Sequence, residues 1–501
     1  MTATAPRVWG AFLLLLLIAA LPILSVEVPP LFDYPNHLAR MHLLAEGGNG
    51  FYAAELAPLP NLAQDLVVPG LSRIMPLEAA GRLFLVLVMA LLAGGVLWLN
   101  REATGAWRWW PLAAFGLLYS RTFLWGFVNY LAGLGVMLVS LALWLRLERA
   151  PAPFRVAASI AAALACYFAH VAAFGAYALA LAGIEAPGLW AEFRARRWGG
   201  LAARALPLLP QFVVPVILFL AWHRAAGGEG GWHYANFGRK LDLPFSVFDN
   251  YSRGFDVACF VVAALYLVWL AVRRRLGLVP RLGWAALALV LFYLVLPSQL
   301  LSGSGADHRL PLAIFLVLVA GTAPRWPDAR IGFWAGVVMV ALFALRLGVV
   351  EAAWRRADTV YAADLAVLDA LPPGAKLAVA FPLAAVDMSP VPETHLAALA
   401  AIRREAFVPT LFADPAQQPL AVRPPFDQLA EAARPADLWA AFVDRSEAAH
   451  ARMMPLLAQF DFILFTARAA YRVDPDPCFT PVSVGPTFQL YRITYAACPA
   501  G

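Results

Sequence analysis

Apolar runs recur along the first 350 residues, each separated from the next by a short polar segment. The first, Phe12–Leu24, follows Arg7 and gives way to Pro29-Pro30. Its length suits a signal peptide or a first membrane span. No small-x-small cleavage site precedes a mature start, so it reads as a retained span. Further runs lie at about 78–99, 107–120, 123–146, 154–170, 172–187, 205–222, 255–272, 283–298, 310–323 and 331–349. A helix needs roughly 20 apolar residues to cross the hydrocarbon core, so the pattern predicts about 11 transmembrane helices. The long apolar stretch around His170 must turn back at Tyr167–Ala173.

Beyond residue 349 the pattern changes. Asp358, Asp364, Asp369, Lys376 and Asp387 appear, and the apolar runs shorten. Ala352–Leu371 reads as a helix ended by Pro372-Pro373-Gly374. Lys376–Phe381 and Phe460–Phe465 read as buried strands, and Pro435–Met454 as a helix opened by proline. Thr480–Ser483 and Thr487–Thr494 read as a hairpin around Gly485-Pro486. The fold class is therefore an α-helical polytopic membrane protein (residues 1–349) with a small C-terminal extracytoplasmic α/β domain (residues 350–501). Between the first two spans lies a loop, residues 28–76. It holds amphipathic pieces at 36–46 and 51–66, separated by Gly47-Gly48-Asn49-Gly50 and suited to lie flat on the membrane surface.

Composition agrees. Hydrophobic residues make up 62% of the chain and charged ones 14%, and mean hydropathy is +0.69, which excludes an ordinary soluble protein. The net charge of +6 does not point to nucleic acid, because the arginines cluster in short loops between apolar runs. Arg146, Arg149 and Arg155 form one cluster, Arg194, Arg196, Arg197 and Arg204 another, and Arg273, Arg274, Arg275 and Arg281 a third. Such clusters face the cytoplasm. The alternation places the N-terminus in the cytoplasm of a bacterial inner-membrane protein, and loop 28–76 and the C-terminal domain in the periplasm. Cys166 and Cys259 lie in apolar runs and read as buried small hydrophobes. Cys478 and Cys498 flank the hairpin in an oxidising compartment and are expected to form a disulfide. Closing a loop of about 20 residues is worth about 3 kcal/mol in the chain-entropy model.

Three polar concentrations fall on the outer face. The first is Val28–Arg40, directly after the first span. In it, partial burial would raise the pKa of Asp33 and make it a usable base, with His37 one helical turn on and Arg40 beyond. The alternative role for Asp33 is a helix cap, since Asp-x-Pro is an ordinary helix start. The second is loop 223–254, with Trp232, His233 and Tyr234 among glycines, either a substrate-ordered loop or a solvated connector. The third is Ser302–Pro311, where Asp307, His308 and Arg309 enter a span from outside. Arg309 is suited to a phosphate or to snorkelling at the interface. Arg121 is a similar outer-face cation. Asn129-Tyr130 and His170 lie within apolar runs, where bonds to neighbouring helices are expected. No CxxC, HExxH or zinc-finger spacing occurs, and no metal site is assigned.

A first span, an acid opening the first outer loop, amphipathic pieces in that loop, some eleven spans and an outer C-terminal domain together resemble the GT-C superfamily. These are polytopic glycosyltransferases that use polyprenyl-phosphate-linked sugars. The resemblance implies a sugar donor of that class, membrane lipid as surroundings, and a glycan, lipid or protein acceptor. It implies Asp33 as base or metal-coordinating residue and Arg309 as holder of the lipid phosphate. Members of the superfamily with two neighbouring acids in the first loop admit a divalent metal; here the nearest acids to Asp33 are Glu27 and Glu46, neither adjacent. Two other classes fit a polytopic chain: a transporter or lipid flippase, and a non-catalytic membrane scaffold whose periplasmic domain binds a partner.

The topology is directly testable. A reporter fused at Gly501 should be active only outside the cytoplasm, because the arginine clusters alternate with the loops. Activity confined to the cytoplasm would reverse the orientation and move the outer loops inside.

Overall fold

The structure is a computed structural model, and it describes residues 3–225, 231–234, 237–300, 303–326, 328–382, 392–466 and 477–494 of the 501-residue chain. Helix α1 is Ala5–Leu24, the expected first span. Helix α2 (Tyr34–Glu46), strand β1 (Tyr52–Ala54) and helix α3 (Ala63–Leu71) build the loop between the first two spans. Then come α4 (Leu77–Thr104), the single turn α5 (Arg121–Leu124), α6 (Val128–Arg146), α7 (Ala152–Ala169) and α8 (Val171–Arg194). The turn between α7 and α8 falls at His170, whose ring accepts from the Ala172 N–H at 3.1 Å. Next are α9 (Trp198–Ala205), α10 (Pro210–Ala225), β2 (Trp232–His233), α11 (Phe237–Asp242) and α12 (Arg253–Val272). Strand β3 (Leu276–Leu278), α13 (Pro280–Val295), β4 (Gln299–Leu300), β5 (Gly303–Ser304), α14 (Ala306–Gly321), β6 (Thr322–Pro324) and α15 (Ala329–Leu368) follow.

Seven helices among the described residues are long and apolar enough to cross a membrane: α1, α4, α6 with its continuation to Arg149, α7, α8, α12 and α15. The pair Trp198–Leu208 and Pro210–Arg224, bent by 45°, is an eighth if it counts as one span. Of the expected eleven, 283–298 and 310–323 correspond to the 16-residue helices α13 and α14. Segment 107–120 is not a span-length helix. It holds a 3-10 helix, Trp110–Leu117, of 8 residues, consistent with Pro111 and Gly116 interrupting a run already too short to cross.

The helix expected at Ala352–Leu371 and the span expected at 331–349 are one helix. Helix α15 runs for 40 residues, about 60 Å at the usual rise. That is about twice the hydrocarbon thickness, so it continues beyond the membrane into the C-terminal domain. There the carboxylate of Asp364 accepts hydrogen bonds from Thr487 and the Phe488 N–H. At the outer end of α1, Ser25 bonds Glu351 and the Glu27 N–H bonds Asp358.

The C-terminal domain contains β7 (Leu377–Ala380), a 3-10 helix Pro392–Leu399, α16 (Ala400–Arg403), β8 (Leu420–Val422) and α17 (Phe426–Ala432). It ends with α18 (Pro435–Phe442), α19 (Glu447–Leu457), β9 (Phe462–Thr466), β10 (Phe479–Val484) and β11 (Phe488–Ile493). The helix expected at Pro435–Met454 is broken in two; Arg445, between the halves, has φ 55°. The four-stranded sheet has the order β10-β11-β9-β7, with β7 parallel to β9 and the expected hairpin at its edge.

The first outer loop does not lie flat on the membrane. Strand β1 pairs antiparallel with β8 of the C-terminal domain, Tyr52 opposite Val422. The Tyr52 hydroxyl donates to the Val408 carbonyl and accepts from the Val408 N–H, both at 2.9 Å. Ala39 and Leu43 of α2, with Tyr52 of β1, belong to the C-terminal hydrophobic core, whereas Leu38 and Met41 of α2 belong to the cluster that includes the membrane helices, Leu38 lying against Gly81 of α4. Helix α2 is therefore sandwiched, with apolar side chains buried on both sides.

Cys478 is in a disulfide, and Cys166 and Cys259 are free buried thiols. Cys498, its expected partner, lies outside the described residues. Thiol labelling of the denatured, unreduced protein should therefore modify Cys166 and Cys259 and spare Cys478. Modification of Cys478 before reduction would contradict the bond.

Candidate functional site

Asp33 sits at the N-cap position of α2, yet its side chain makes no capping bond. What holds it is backbone. The Phe32 N–H donates to the Leu124 carbonyl at 2.9 Å and the Asp33 N–H to the Trp125 carbonyl at 3.2 Å. Gly126 makes that approach feasible. Its φ is 84°, and a Cβ there would stand 2.9 Å from the Asp33 nitrogen.

The carboxylate faces a cavity of about 960 Å³ between the membrane helices and the C-terminal domain. Asp33, His37 and Arg40 line it from the first outer loop, Arg309 from the first turn of α14, and Tyr130 and His170 from the helix ends beneath. Residues of 409–418 and 427–431 close it from the C-terminal domain. Burial raises the pKa of Asp33 to about 7, against the opposing pull of the Arg309 and Arg40 charges. Burial and the neighbouring Arg40 and His395 hold His37 well below the usual imidazole range, so it is neutral. The Arg309 guanidinium lies over the Phe127 ring, 4.4 Å from its centroid, and the Arg309 carbonyl accepts from the Tyr130 hydroxyl.

Arg40 is already engaged. It makes a two-pronged bond to Asp65, at 2.7 and 3.1 Å, and both side chains are buried. Asn129 accepts from the Gln64 N–H and donates to the Asn61 carbonyl and to Asp65. The amide expected to bond a neighbouring helix thus anchors the first outer loop.

The remaining candidates do not line this cavity. Arg121 is paired with Asp249. Trp232 and Tyr234 are exposed, and β2 is paired with β4 in a small sheet completed by β5. The His233 carbonyl accepts from Ser298. His308 contacts Arg239 at 2.9 Å and stacks on Trp125. Asp307 is wholly buried, its carboxylate without a hydrogen-bond partner among the described residues. The second and third polar loops therefore meet each other, and only Arg309 of that group reaches the cavity that Asp33 faces. Among the described residues no three His, Cys, Asp or Glu side chains gather as a metal would require.

Three contributors escaped the sequence pattern. Asp65 is a further acid of the first loop, hidden in an apolar helix. Asn36 and His395 contact each other across most of the chain's length. The polar trio Glu393-Thr394-His395, set in an apolar stretch, was the one available signal for the last.

No family model matches the chain, and no curated protein matches it in sequence. Its fold is similar to that of ArnT. The structure of ArnT from Cupriavidus metallidurans in the apo state aligns over 99% of this chain and 100% of that one, with a TM-score of 0.53 at 14% identity. The same protein bound to undecaprenyl phosphate aligns over the same shares, with a TM-score of 0.55 at 14% identity. The match extends through both the membrane helices and the C-terminal domain, and it shows a shared fold.

The Arg40–Asp65 pair yields a stability prediction. Arg40→Met leaves Asp65 as a buried carboxylate without its cation, which typically costs about 3–5 kcal/mol. The expected readout is a lower unfolding midpoint in detergent. The double replacement Arg40→Met/Asp65→Leu should recover most of the loss. An unchanged midpoint in the single variant would mean that the pair is not a clamp.

Proposed function

We propose that this protein is a membrane glycosyltransferase, moving a sugar from a polyprenyl-phosphate donor to an acceptor at the outer face of the cytoplasmic membrane. The observation that carries the reading is the joint placement of Asp33 and Arg309 on one large cavity at the junction of membrane helices and C-terminal domain. The fold shared with ArnT supports it, since ArnT has been seen bound to undecaprenyl phosphate. The acceptor class, glycan, lipid or protein, is left to experiment.

In this mechanism the lipid phosphate is the leaving group. The guanidinium of Arg309, held by the Phe127 ring, pairs with its oxygens and stabilises the charge that develops as the glycosidic bond breaks. Asp33, ionised, takes the proton of the acceptor hydroxyl as its oxygen attacks the anomeric carbon. With a single carboxylate acting as base and no covalent intermediate, the anomeric configuration inverts. A base near pKa 7 suits a reaction near neutral pH: it is substantially ionised, yet strong enough to accept a proton. Neutral His37, edge-on to Phe412 at the same wall, adds no competing charge.

The test is a deletion strain followed by mass spectrometry of its lipid-linked sugars and surface glycans. Loss of one surface sugar and accumulation of its lipid-linked form are expected, both restored by the parent gene. Asp33→Asn, expressed at parent level, should transfer sugar roughly 10²–10⁴-fold more slowly in membranes. Arg309→Lys keeps the charge but loses the fork, so it should mainly weaken donor binding, roughly tenfold. Turnover of the parent should rise with pH up to about 7 and then level off, because protonated Asp33 cannot accept a proton. An Asp33→Asn protein with the parent rate removes Asp33 from the chemistry.

A further inference from the structure

The C-terminal domain sends one side chain directly to Asp33. His395 lies in the 3-10 helix Pro392–Leu399, with its Nε2 3.5 Å from Asp33 Oδ1. Its ring stands edge-on to Phe32 and Phe412, at 4.9 and 5.1 Å between centroids. Its tautomer follows from its neighbours. The Asn36 amide donates to the Thr410 carbonyl at 2.7 Å and accepts from the Phe412 N–H at 2.6 Å. These two backbone bonds decide which end of the amide is nitrogen. The nitrogen end also faces His395 Nδ1 at 3.2 Å. An amide NH₂ only donates, so Nδ1 accepts and the ring proton sits on Nε2, towards Asp33. Burial lowers the pKa of His395 to about 4, which keeps the ring neutral.

We propose that His395 is a positioning residue for Asp33: its Nε2–H, aimed by Asn36, steadies the carboxylate in its ionised form. The inference rests on the reading of Asp33 as the base. At 3.5 Å the contact is long for a settled hydrogen bond, and such contacts tighten when substrate fills the site. Other groups also face Asp33. Arg40 and His37 come from its own helix and Arg309 from α14; His170 lies on the same cavity wall, and Asp414, Asp427 and Glu431 stand on the C-terminal side of the cavity. The two arginines pull in the same direction as a donated hydrogen bond, and the three acids oppose it. His395 differs from the arginines in acting through a directed N–H supplied by the other domain. Docking of the C-terminal domain then sets the protonation of the base as well as closing the cavity.

The test uses the purified full chain in detergent and needs no substrate. A carbodiimide reacts with protonated carboxyl groups, and the mass of the Asp33 peptide reports labelling as a function of pH. Asp33 borders the cavity and its side chain keeps 16% exposure, so the reagent reaches it. Three proteins are compared: the parent, His395→Phe, which keeps an aromatic ring but has no N–H, and His395→Gln, whose amide N–H reaches the position of Nε2. A hydrogen bond to the charged form lowers a carboxyl pKa, so its loss raises it. The His395→Phe midpoint should move up by about one unit, and His395→Gln should stay near the parent. Should His395→Phe fail to accumulate, His395→Ala gives the same comparison. Coincident midpoints in all three overturn the proposal, and so does an equal shift in the Phe and Gln variants, which would assign the effect to ring packing. Failure of the base reading shows separately, as an Asp33→Asn protein that turns over at the parent rate.

Discussion

A helix buried on two faces must satisfy the polar side chains of those faces inside the protein, and α2 does so in two directions. Asn36 and Arg40 are both essentially inaccessible to solvent. Arg40 turns towards the membrane helices and is neutralised by Asp65, which Asn129 of α6 holds in place. Asn36 turns towards the C-terminal domain and bonds the backbone of Thr410 and Phe412. Leaving either group unpaired in such a setting is costly, so each partner is obligatory once the helix is buried. The register of α2 is thereby fixed against both halves of the molecule, and Asp33 at its start is delivered to the seam between them.

That placement explains the electrostatics. Were the C-terminal domain absent, one side of Asp33 would face water and desolvation would raise its pKa less. The domain adds low-dielectric walls from 409–418 and 427–431, and desolvation then outweighs the attraction of Arg309 and Arg40. Bringing Arg309 close has the opposite effect on a bound anion: the walls that destabilise a lone carboxylate strengthen a phosphate–guanidinium pair. Under the proposed function, one enclosure readies the base and holds the leaving group. The 40-residue α15 and the β1–β8 pairing are the mechanical links that keep the enclosure assembled.

That Asp33 and Arg309 line one cavity could be anticipated in the sequence only so far as each marks a break in hydrophobic periodicity, where a polar residue needs a reason. The spans were legible wherever the run was long enough to leave one reading, as at α4 and α12. Segment 107–120 was not, since its composition is that of a span while its length and its proline are those of a connector. The fate of the amphipathic pieces was hidden for a different reason. Amphipathicity says that a helix has an apolar face, and it does not say whether lipid or another domain covers it. What covers α2 comes from residues near 400, and the Asn36–His395 contact spans 359 positions. No local pattern encodes a contact of that separation. Arg121 and the Trp232–Tyr234 cluster misled for a related reason: cations and aromatics at an outer surface look alike whether they face a ligand or pair with a local neighbour such as Asp249.

The buried charges themselves separate structure from chemistry. On the arginine-rich side, Glu185 has both oxygens occupied, by Trp144 and Arg281 on one and Arg204 on the other. Arg346 is divided between Asp256 and the carbonyls of Gly116 and Phe248. Such networks are closed: every strong donor or acceptor is spent on protein, and their effect is to fix helices against one another. Asp33 is open by comparison. It makes no capping bond, the neutral His395 ring stands 3.5 Å from its carboxylate, and it lines the cavity. Asp307 also lacks a hydrogen-bond partner among the described residues, but it is not among the residues lining that cavity, so burial and a missing partner do not suffice. The proposed chemistry requires an ionisable group with room for a substrate beside it, and among the acids that the sequence singled out Asp33 is the one lining that cavity.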